Sequence, residues 1–287
     1  MPAQPDKSAP KPFPQSRAAA PRSAPGDRLF TAFCAAAVIA FVVFIATLII
    51  ADALYVDADA VRHVVSSPAI RHALWMSIWT SCTATAVSLL FAVPMGYILS
   101  RRRVFARPVI DAFIDLPIVF PPLVAGLTLL VFFSQTAAGR WIQQDLGIEF
   151  VFQPKGIVLC QFLVAASFAI RSARTAFDDV DTRFENVALT LGCTRLQSFR
   201  RVTLPLAANG IIAGGILTWA RAFGLFGPLM IFVGSFRGRT EVLSSTIFLE
   251  QSVGNLEAAL AVALLMIFIA LAAIIAIRLI TRGQFRL

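Results

Sequence analysis

Residues 177–206 read FDDVDTRFENVALTLGCTRLQSFRRVTLPL. This segment is a polar interval between two long apolar runs, and its first aspartates are good helix N-caps. The pattern predicts a short helix over residues 183–191, which Gly192 ends. It predicts a second, amphipathic helix over residues 195–202, which ends as Pro205 opens the next apolar run. Because a passive connection needs far fewer residues, we expect a folded helix-turn-helix.

The apolar runs belong to a chain that is 58% hydrophobic and 14% charged, with a mean hydropathy of +0.78. Soluble domains carry about a quarter charged residues, so this composition indicates a membrane protein. A bilayer-crossing helix takes about 20 apolar residues. The sequence therefore predicts an all-α integral membrane protein with six transmembrane helices and the helix-turn-helix between spans 4 and 5. The predicted spans are 29–53, 70–100, 113–135, 155–177, 205–234 and 256–280.

Lysine and arginine are distributed unequally between the two sides of these spans. The side that holds both termini and the helix-turn-helix receives eighteen of them, whereas the opposite side receives six. Since cytoplasmic segments carry the excess of basic residues, we expect both termini and the helix-turn-helix to be cytoplasmic. The net charge of +9 is then a topology signal, and no nucleic acid is needed to explain it.

Two tails flank the predicted six-span domain of residues 29–281. Residues 1–28 hold seven of the 16 prolines and no apolar periodicity, which predicts a disordered cytoplasmic tail. Residues 282–287 are expected to form a short basic cytoplasmic tail.

The chain lacks the motifs of self-contained catalysis. It has no G-x-x-x-x-G-K-[ST] loop for nucleotide phosphates, no H-E-x-x-H motif and no Ser/His/Asp set. Its four cysteines form no C-x-x-C pair, so we interpret them as unpaired small apolar residues. We expect a protein that is not an enzyme, has no catalytic residues or metal site, and takes its energy from a separate subunit.

The helix-turn-helix resembles the cytoplasmic motif of ABC importer permeases, written E-A-A, three residues, G, nine residues, I, one residue, L-P. Gly192 sets the register, and Asn186 stands at the glutamate position with Glu185 one residue earlier. Val187 replaces the first alanine of the motif. The positions that the resemblance assigns to ATPase coupling are Glu185, Asn186, Ala188, Gly192, Val202, Leu204 and Pro205.

This resemblance implies a multi-pass transport subunit of a bacterial or archaeal cell (inner) membrane. Two copies of a separate ATPase subunit, which bind ATP and Mg, would dock on the helix-turn-helix, while this chain binds no cofactor itself. The resemblance also implies a homodimer in lipid that receives substrate from an extracytoplasmic solute-binding protein. Pairing with a different permease subunit stays open.

Three further fragments resemble molybdate, tungstate and sulfate permeases. They are SLLFAVPMGYILSRR at 88–102, DLPIVFPPLVAGLTLL at 115–130 and TWARAFGLFGPLMIFVGSFRGRTEVL at 218–243. Leu225 stands where the last segment has glutamate in that family. The resemblance therefore implies import of an oxyanion, and permeases for iron, polyamines or thiamine remain alternatives.

Helix breakers interrupt the third and fifth predicted spans. Irregular backbone is tolerated at membrane depth where protein or a water-filled cavity covers it, so we interpret both breaks as lining a translocation pathway. Kinks that serve only packing are the alternative. The interpreted pathway residues are Pro117, Pro121, Pro122, Gly126, Arg221, Gly224 and Gly227.

Charged residues near the ends of the spans lead to three expectations. A charge as deep as Arg221 either attracts an anion or pairs with an acidic residue at the external mouth. Asp111 and Asp115 are expected in a solvated cluster with the basic residues 101–107. Residues 242–249 predict a short surface helix or strand where the binding protein docks. The acidic candidates for Arg221 are Asp57, Asp59, Glu241 and Glu250.

A secondary transporter or channel that works without ATP is the main alternative from another class. Such proteins carry acidic relays inside the membrane or internal repeats. Neither is found in this sequence, because its acidic residues cluster outside the spans and no half of the chain resembles the other. A polytopic membrane enzyme is a weaker alternative, since no nucleophile, base and metal set converges.

Overall fold

The structure, a computed structural model, describes residues 25–102 and 105–282. Every regular element in these two ranges is helical, which confirms the predicted all-α class. The helices are α1 (Pro25–Tyr55), α2 (Ala58–Ser66), α3 (Pro68–Arg101), α4 (Arg107–Val119), α5 (Pro122–Gln135), α6 (Ala137–Gln144), α7 (Pro154–Asp178), α8 (Thr182–Thr190), α9 (Arg195–Ser198), α10 (Leu204–Phe223), α11 (Gly227–Phe232), α12 (Leu243–Ser252) and α13 (Leu256–Arg282). A π-helical segment, Phe199–Thr203, joins α9 to α10.

The chain divides into two compact units, Met1–Ile50 and Ala51–Leu287. The described part of the first unit is the amino-terminal portion of α1, an apolar helix. The second unit holds α2 to α13. The predicted tails lie almost entirely outside the described residues, except that residues 25–28 belong to α1 and α13 ends at Arg282.

Three long helices, α3, α7 and α10, pack together in the second unit. Small residues let their backbones approach closely. A Cβ on Gly96 would lie 2.8 Å from the backbone nitrogen of Arg174, and one on Gly214 would lie 2.2 Å from the Cβ of Ser172. Helices in lipid associate through such close packing, because the hydrophobic effect gives little help there. The two glycines therefore set the spacing of these helices.

Five described helices are long and apolar enough to cross a membrane, and α4 with α5 adds a sixth if this pair is one span. The pair is bent by 107°. The bend falls at Phe120 and Pro121, because a residue that precedes proline is driven out of the helical region. Pro117 lies inside α4, so the prediction that it also breaks the helix is wrong.

The helix that leads into the fifth predicted span starts earlier than expected. From Arg195 to Phe223 the chain is one continuous helical run, so the prediction that Leu204 and Pro205 end the second short helix is wrong. The ring of an interior proline clashes with the carbonyl four residues earlier. The π-helical segment just before Pro205 widens the backbone, which accommodates the ring. The run ends before residues 224–226, and α11 follows that break.

Residues 242–246, at the start of α12, are buried, whereas residues 242–249 were expected at the surface. Leu243, Ser244 and Thr246 are all buried. The Leu243 N–H donates to Ser77 Oγ at 2.8 Å, and Ser244 Oγ donates to the Leu225 carbonyl at 2.7 Å. Burial is possible because these polar groups find partners inside the protein.

Candidate functional site

Helices α8 and α9 with the turn between them form a hairpin, which we call the α8–α9 hairpin. Gly192 has a φ of +89° in the turn, and a Cβ added there would have no other atom within 4 Å. This left-handed conformation favours glycine. The Cys193 N–H donates to the Ala188 carbonyl at 3.0 Å and closes α8. Thr194 and Gln197 then form a capping box that starts α9.

Glu185 anchors this hairpin to the end of α3. Its Oε1 accepts from Arg101 Nε at 2.7 Å, and Tyr97 Oη donates to its Oε2 at 3.3 Å. The Arg101 guanidinium also donates to the Val180 carbonyl at 2.8 Å. Only 11% of the Arg101 side chain and 14% of the Glu185 side chain are exposed. The ion pair is therefore well shielded from water and fixes the hairpin against α3.

Helix α8 has two different faces. Glu185 and Leu189 line the cavity between the hairpin and α3. On the opposite side Phe184, Val187 and Leu191 recur three and four residues apart, and their exposed fractions are 56%, 57% and 80%. We call this exposed group the apolar face of the hairpin. Apolar side chains clustered on a polar segment are typical of a surface that binds another protein.

The other residues that the sequence assigned to coupling differ in burial. Ala188 of α8 is buried. Leu204 is half-buried and packs against the core formed by α3, α7 and α10, and Val202 is also half-buried. Asn186 and Pro205 are exposed. Four of the seven positions thus lie in the hairpin, whereas Val202 lies in the π-helical segment and Leu204 and Pro205 begin α10.

The two helix breaks meet inside the second unit. A Cβ on Gly126 of α5 would lie 2.5 Å from the Pro228 carbonyl oxygen of α11. A Cβ on Gly227 would lie 3.3 Å from the Cβ of Pro122. Two interruptions that are about a hundred residues apart in sequence are therefore in contact, with glycine where the backbones are closest. Pro121 precedes α5 directly, and Gly224 follows α10.

Side chains from two other helices hold the break that follows α10. Gln161 of α7 donates through Nε2 to the Ala222 carbonyl at 3.1 Å, and Ser244 of α12 donates to the Leu225 carbonyl. These carbonyls lie at a helix end, where the intrahelical partners run out. Sequence reasoning missed both residues. An available signal was Gln161 itself, because a polar amide within an apolar span is costly without a partner.

Arg221 is exposed on α10, with its guanidinium carbon 6.0 Å from the centre of the Phe168 ring. Among the described residues it forms no ion pair. Glu250, one of its predicted partners, pairs with Arg237 at 2.7 Å instead, and Glu241 is buried elsewhere. None of the four acidic candidates pairs with Arg221 among the described residues, and of the two alternatives the attraction of an anion stays a prediction.

Ion pairs also join α4 to α7. Asp115 pairs with Arg171, and Asp111 Oδ1 accepts from Arg174 at 2.8 Å. The expected cluster with the basic residues of the preceding turn is reduced to Arg107, which lies 3.8 Å from Asp111. The two aspartates pair with α7 instead, because α4 packs beside the part of α7 that carries Arg171 and Arg174. The expected member Arg103 lies outside the described residues.

Glu241 is a buried carboxyl near the amino-terminal end of α12, only 1% exposed. Burial raises the pKa of Glu241, and the hydrogen bond from Thr246 and the charge of Arg237 oppose that shift. Its Oε2 and the Nδ1 of His72 have no hydrogen-bond partner in the described part of the chain. The charged form of Glu241 is therefore poorly compensated.

The described residues contain no group of three or more His, Cys, Asp or Glu side chains placed to hold a metal ion. The four cysteines are free, and Cys160 is buried while Cys34 and Cys82 are exposed.

Comparison with known proteins agrees with this architecture. Residues 88–286 match the family described as binding-protein-dependent transport system inner membrane component. The chain belongs to this family. The match contains the α8–α9 hairpin, both helix breaks and Arg221. The resemblance to ABC importer permeases inferred from the sequence is confirmed, and the chain is an ABC transporter permease with transmembrane helices.

Curated members of this family are similar to the chain over most of its length. The molybdate/tungstate permease WtpB of Pyrococcus furiosus is 34% identical over 79% of this chain and 85% of its own length. The molybdenum permease ModB of Mycobacterium bovis is 34% identical over 81% and 88%. The sulfate permease CysT of Salmonella typhimurium is 32% identical over 70% and 72%.

Solved ABC transporters share the fold of this permease. A bacterial transporter that imports the acidic polysaccharide alginate superposes with a TM-score of 0.66 at 18% identity, over 91% of this chain and 97% of the other. The methionine transporter MetNI in an inward-facing conformation gives a TM-score of 0.58 at 17% identity, over 77% and 100%. At these identities the likeness concerns the fold alone.

Proposed function

We propose that this chain, as a homodimer, forms the translocation pathway of an ATP-driven importer for an oxyanion such as molybdate, tungstate or sulfate. The named relatives carry these three anions, and they align with more than two thirds of the chain. In this proposal both termini and the α8–α9 hairpin are cytoplasmic. A solute-binding protein delivers the anion on the opposite side.

The exposed apolar face of the hairpin is the observation that carries this proposal. Phe184, Val187 and Leu191 are exposed, although the polar face of the same helix is firmly bonded to α3. A rigidly held apolar face suits a groove on a partner protein. The partner is an ATPase subunit, present in two copies, that binds ATP and Mg. This permease supplies neither nucleotide contacts nor catalysis.

The hairpin residues have distinct roles in this proposal. Glu185 fixes the position of the hairpin, and Gly192 permits its turn. Ala188 is the buried residue of α8, while exposed Asn186 borders the cavity next to α3. Val202, in the π-helical segment, and Leu204 and Pro205, at the start of α10, connect the hairpin to the membrane helix.

The continuous helical run, Arg195–Phe223, transmits the motion of the ATPase. At 1.5 Å per residue it extends about 43 Å, from the hairpin to the contact between α5 and α11. When the ATPase subunits close, the run moves with the hairpin and shifts the break held by Gln161 and Ser244. Pro122, Gly126 and Gly227 then change their packing and open or close the pathway.

Arg221 attracts the anion to this pathway, since it lies exposed on α10 four residues before Leu225 with no carboxylate partner among the described residues. Pro121 and Gly224 border the breaks beside it, and Pro117 lies one helical turn before the bend. We expect Arg221→Ala to lower uptake of labelled molybdate or sulfate about 10-fold, while assembly with the ATPase persists. Unchanged uptake of both anions would show that Arg221 does not act in the translocation pathway.

The proposal is tested by co-purification from native membranes in mild detergent. Val187→Asp puts a charge on the apolar face, whereas Val253→Asp makes the same change at a 70% exposed position beyond α12. We expect the unchanged chain and Val253→Asp to retain a P-loop ATPase, and Val187→Asp to lose it. If no ATPase co-purifies with any form, a transporter that works without ATP becomes the better account.

A further inference from the structure

A large cavity separates the end of α3 from the α8–α9 hairpin. Its volume is about 790 Å³, and it opens beside the anchoring ion pair of Arg101 and Glu185. We call it the arginine cavity. The lining residues that matter here are Val93, Pro94, Ile98, Arg102, Arg195 and Leu196.

Two cations in this cavity are uncompensated. Arg102 follows α3 and Arg195 begins α9, and both are exposed. Neither forms an ion pair with any residue in the described ranges. The one acidic lining residue, Glu185, is already bonded to Arg101. The cavity therefore presents net positive charge to whatever occupies it.

The remaining wall of the cavity is apolar. Val93, Pro94 and Ile98 belong to the last three turns of α3, a helix long and apolar enough to cross a membrane. Ile98 is 54% exposed, and Leu196 on the hairpin side is 64% exposed. The apolar wall thus continues along a membrane helix, while the arginines stand at its cytoplasmic end in the proposed orientation.

We propose that the arginine cavity binds an anionic phospholipid of the cytoplasmic leaflet. The headgroup phosphate lies between Arg102 and Arg195, and an acyl chain follows the wall of Val93, Pro94 and Ile98. Basic pockets at the cytoplasmic ends of membrane helices recognise anionic headgroups in this way. A soluble anion would complement the charge but would leave the apolar wall exposed to water.

The bound lipid links α3 to α9 beside the Arg101–Glu185 pair. It therefore adds a second bridge across the same gap and steadies the hairpin. The inference uses the proposed membrane orientation, but it does not depend on ATPase coupling or on the transported anion. Its test measures lipid binding to the permease alone. The lipid proposal can therefore fail while the proposed function stands, and the proposed function can fail while the lipid proposal stands.

The test is a lipid titration of the purified full chain in neutral detergent, followed by native mass spectrometry. Phosphatidylglycerol and phosphatidylcholine are the probes. Arg102→Gln with Arg195→Gln removes both cavity cations, and Arg200→Gln with Arg201→Gln removes two exposed arginines that do not line the cavity. Ile98→Trp keeps the charges and fills the apolar wall.

We expect phosphatidylglycerol to bind in preference to phosphatidylcholine. Loss of both cavity cations should weaken phosphatidylglycerol binding about 30-fold, since each cation near an anionic lipid contributes roughly 5-fold. Ile98→Trp should also weaken it, and the Arg200 and Arg201 pair should leave it nearly unchanged.

Three results would overturn the proposal. Equal phosphatidylglycerol binding by the unchanged chain and the cavity variant places the lipid elsewhere. Displacement of the lipid by millimolar glycerol phosphate identifies a site for soluble anions. Loss of the lipid when the ATPase subunit is added to the complex shows that the partner protein covers the cavity.

Discussion

The two ends of α3 are held in opposite ways. At one end Arg101 forms a shielded ion pair with the α8–α9 hairpin, whose outer side chains stay exposed. Towards the other end, Ser77 accepts a hydrogen bond from the Leu243 N–H at the start of α12, where Ser244, Ser245 and Thr246 are buried. The two contacts are 24 residues apart on one helix, which is about 36 Å. One end is thus open to a partner, and the other is closed around the helix break.

This difference indicates that the hairpin and α12 have different roles in the permease. A hairpin fixed by charge on one face and apolar on the other can exchange a partner without unfolding. A helix whose buried Ser244 bonds the Leu225 carbonyl serves instead as a support. Changes on the apolar face of the hairpin should therefore impair coupling more than stability, and changes near α12 should do the reverse.

The largest difference is expected between Gly192→Val and Gly238→Val. Both glycines have positive φ, +89° and +75°, and neither has an atom within 4 Å of an added Cβ. The two substitutions therefore introduce a similar backbone strain of about 1–2 kcal/mol. We expect ATP-dependent uptake to fall at least 10-fold for Gly192→Val only, measured with labelled anion in cells. Equal losses in the two variants would contradict a special role for the hairpin turn.

Removal of the anchoring arginine should have the next largest effect. Arg101→Ala leaves Glu185 unpaired in a shielded site, which costs about 3 kcal/mol. Arg183→Ala, on the same hairpin, removes an 89% exposed side chain 3.8 Å from Asp181 and should cost under about 0.5 kcal/mol. Thermal melts of the detergent-solubilised complex, with ATPase activity read in parallel, compare the two. Similar losses would mean that the ion pair does not anchor the hairpin.

The contact between the helix breaks is tested by Gly126→Ala. The new Cβ meets the Pro228 carbonyl at 2.5 Å, and this backbone atom has little freedom to move. In the control, Gly215→Ala, the nearest atom is the flexible Leu89 Cδ1 at 3.2 Å. We expect a loss in uptake of about 10-fold for Gly126→Ala from overpacking and near-normal uptake for the control. Normal uptake by both variants would show that transport does not depend on this contact.

The smallest expected effect is a pH-dependent gain in thermal stability when the charge of Glu241, just before α12, is removed. The raised pKa of Glu241 means that its stabilising protonated form is lost as pH rises through the folded-state pKa. Glu241→Gln stays neutral at every pH, so its Tm should exceed that of the unchanged chain by about 2 °C at neutral pH. The gain should vanish at acid pH. Exposed Glu257→Gln is the control, and a gain there of equal size would contradict the assignment.

The sequence predicted local features better than contacts between distant segments. Gly192 was found because a helix end with open space favours glycine, and the breaker prolines located the bend before α5. The Arg101–Glu185 pair was missed because nothing local joins residues 84 apart in sequence. Pro117 was misread because one interior proline can be absorbed by a helix. The burial at the start of α12 was missed because the surface prediction for residues 242–249 rested on their position between two predicted spans, and position alone does not reveal packing against α3.

Photo-crosslinking in living cells tests directly whether the hairpin docks an ATPase subunit. A photoreactive amino acid is placed at Leu191 on the apolar face and, as a control, at Val253 beyond α12. We expect Leu191 to crosslink to a P-loop ATPase subunit and Val253 not to. Absence of an ATPase crosslink from Leu191, with the complex assembled and active, would contradict the assignment of the hairpin as the ATPase docking site.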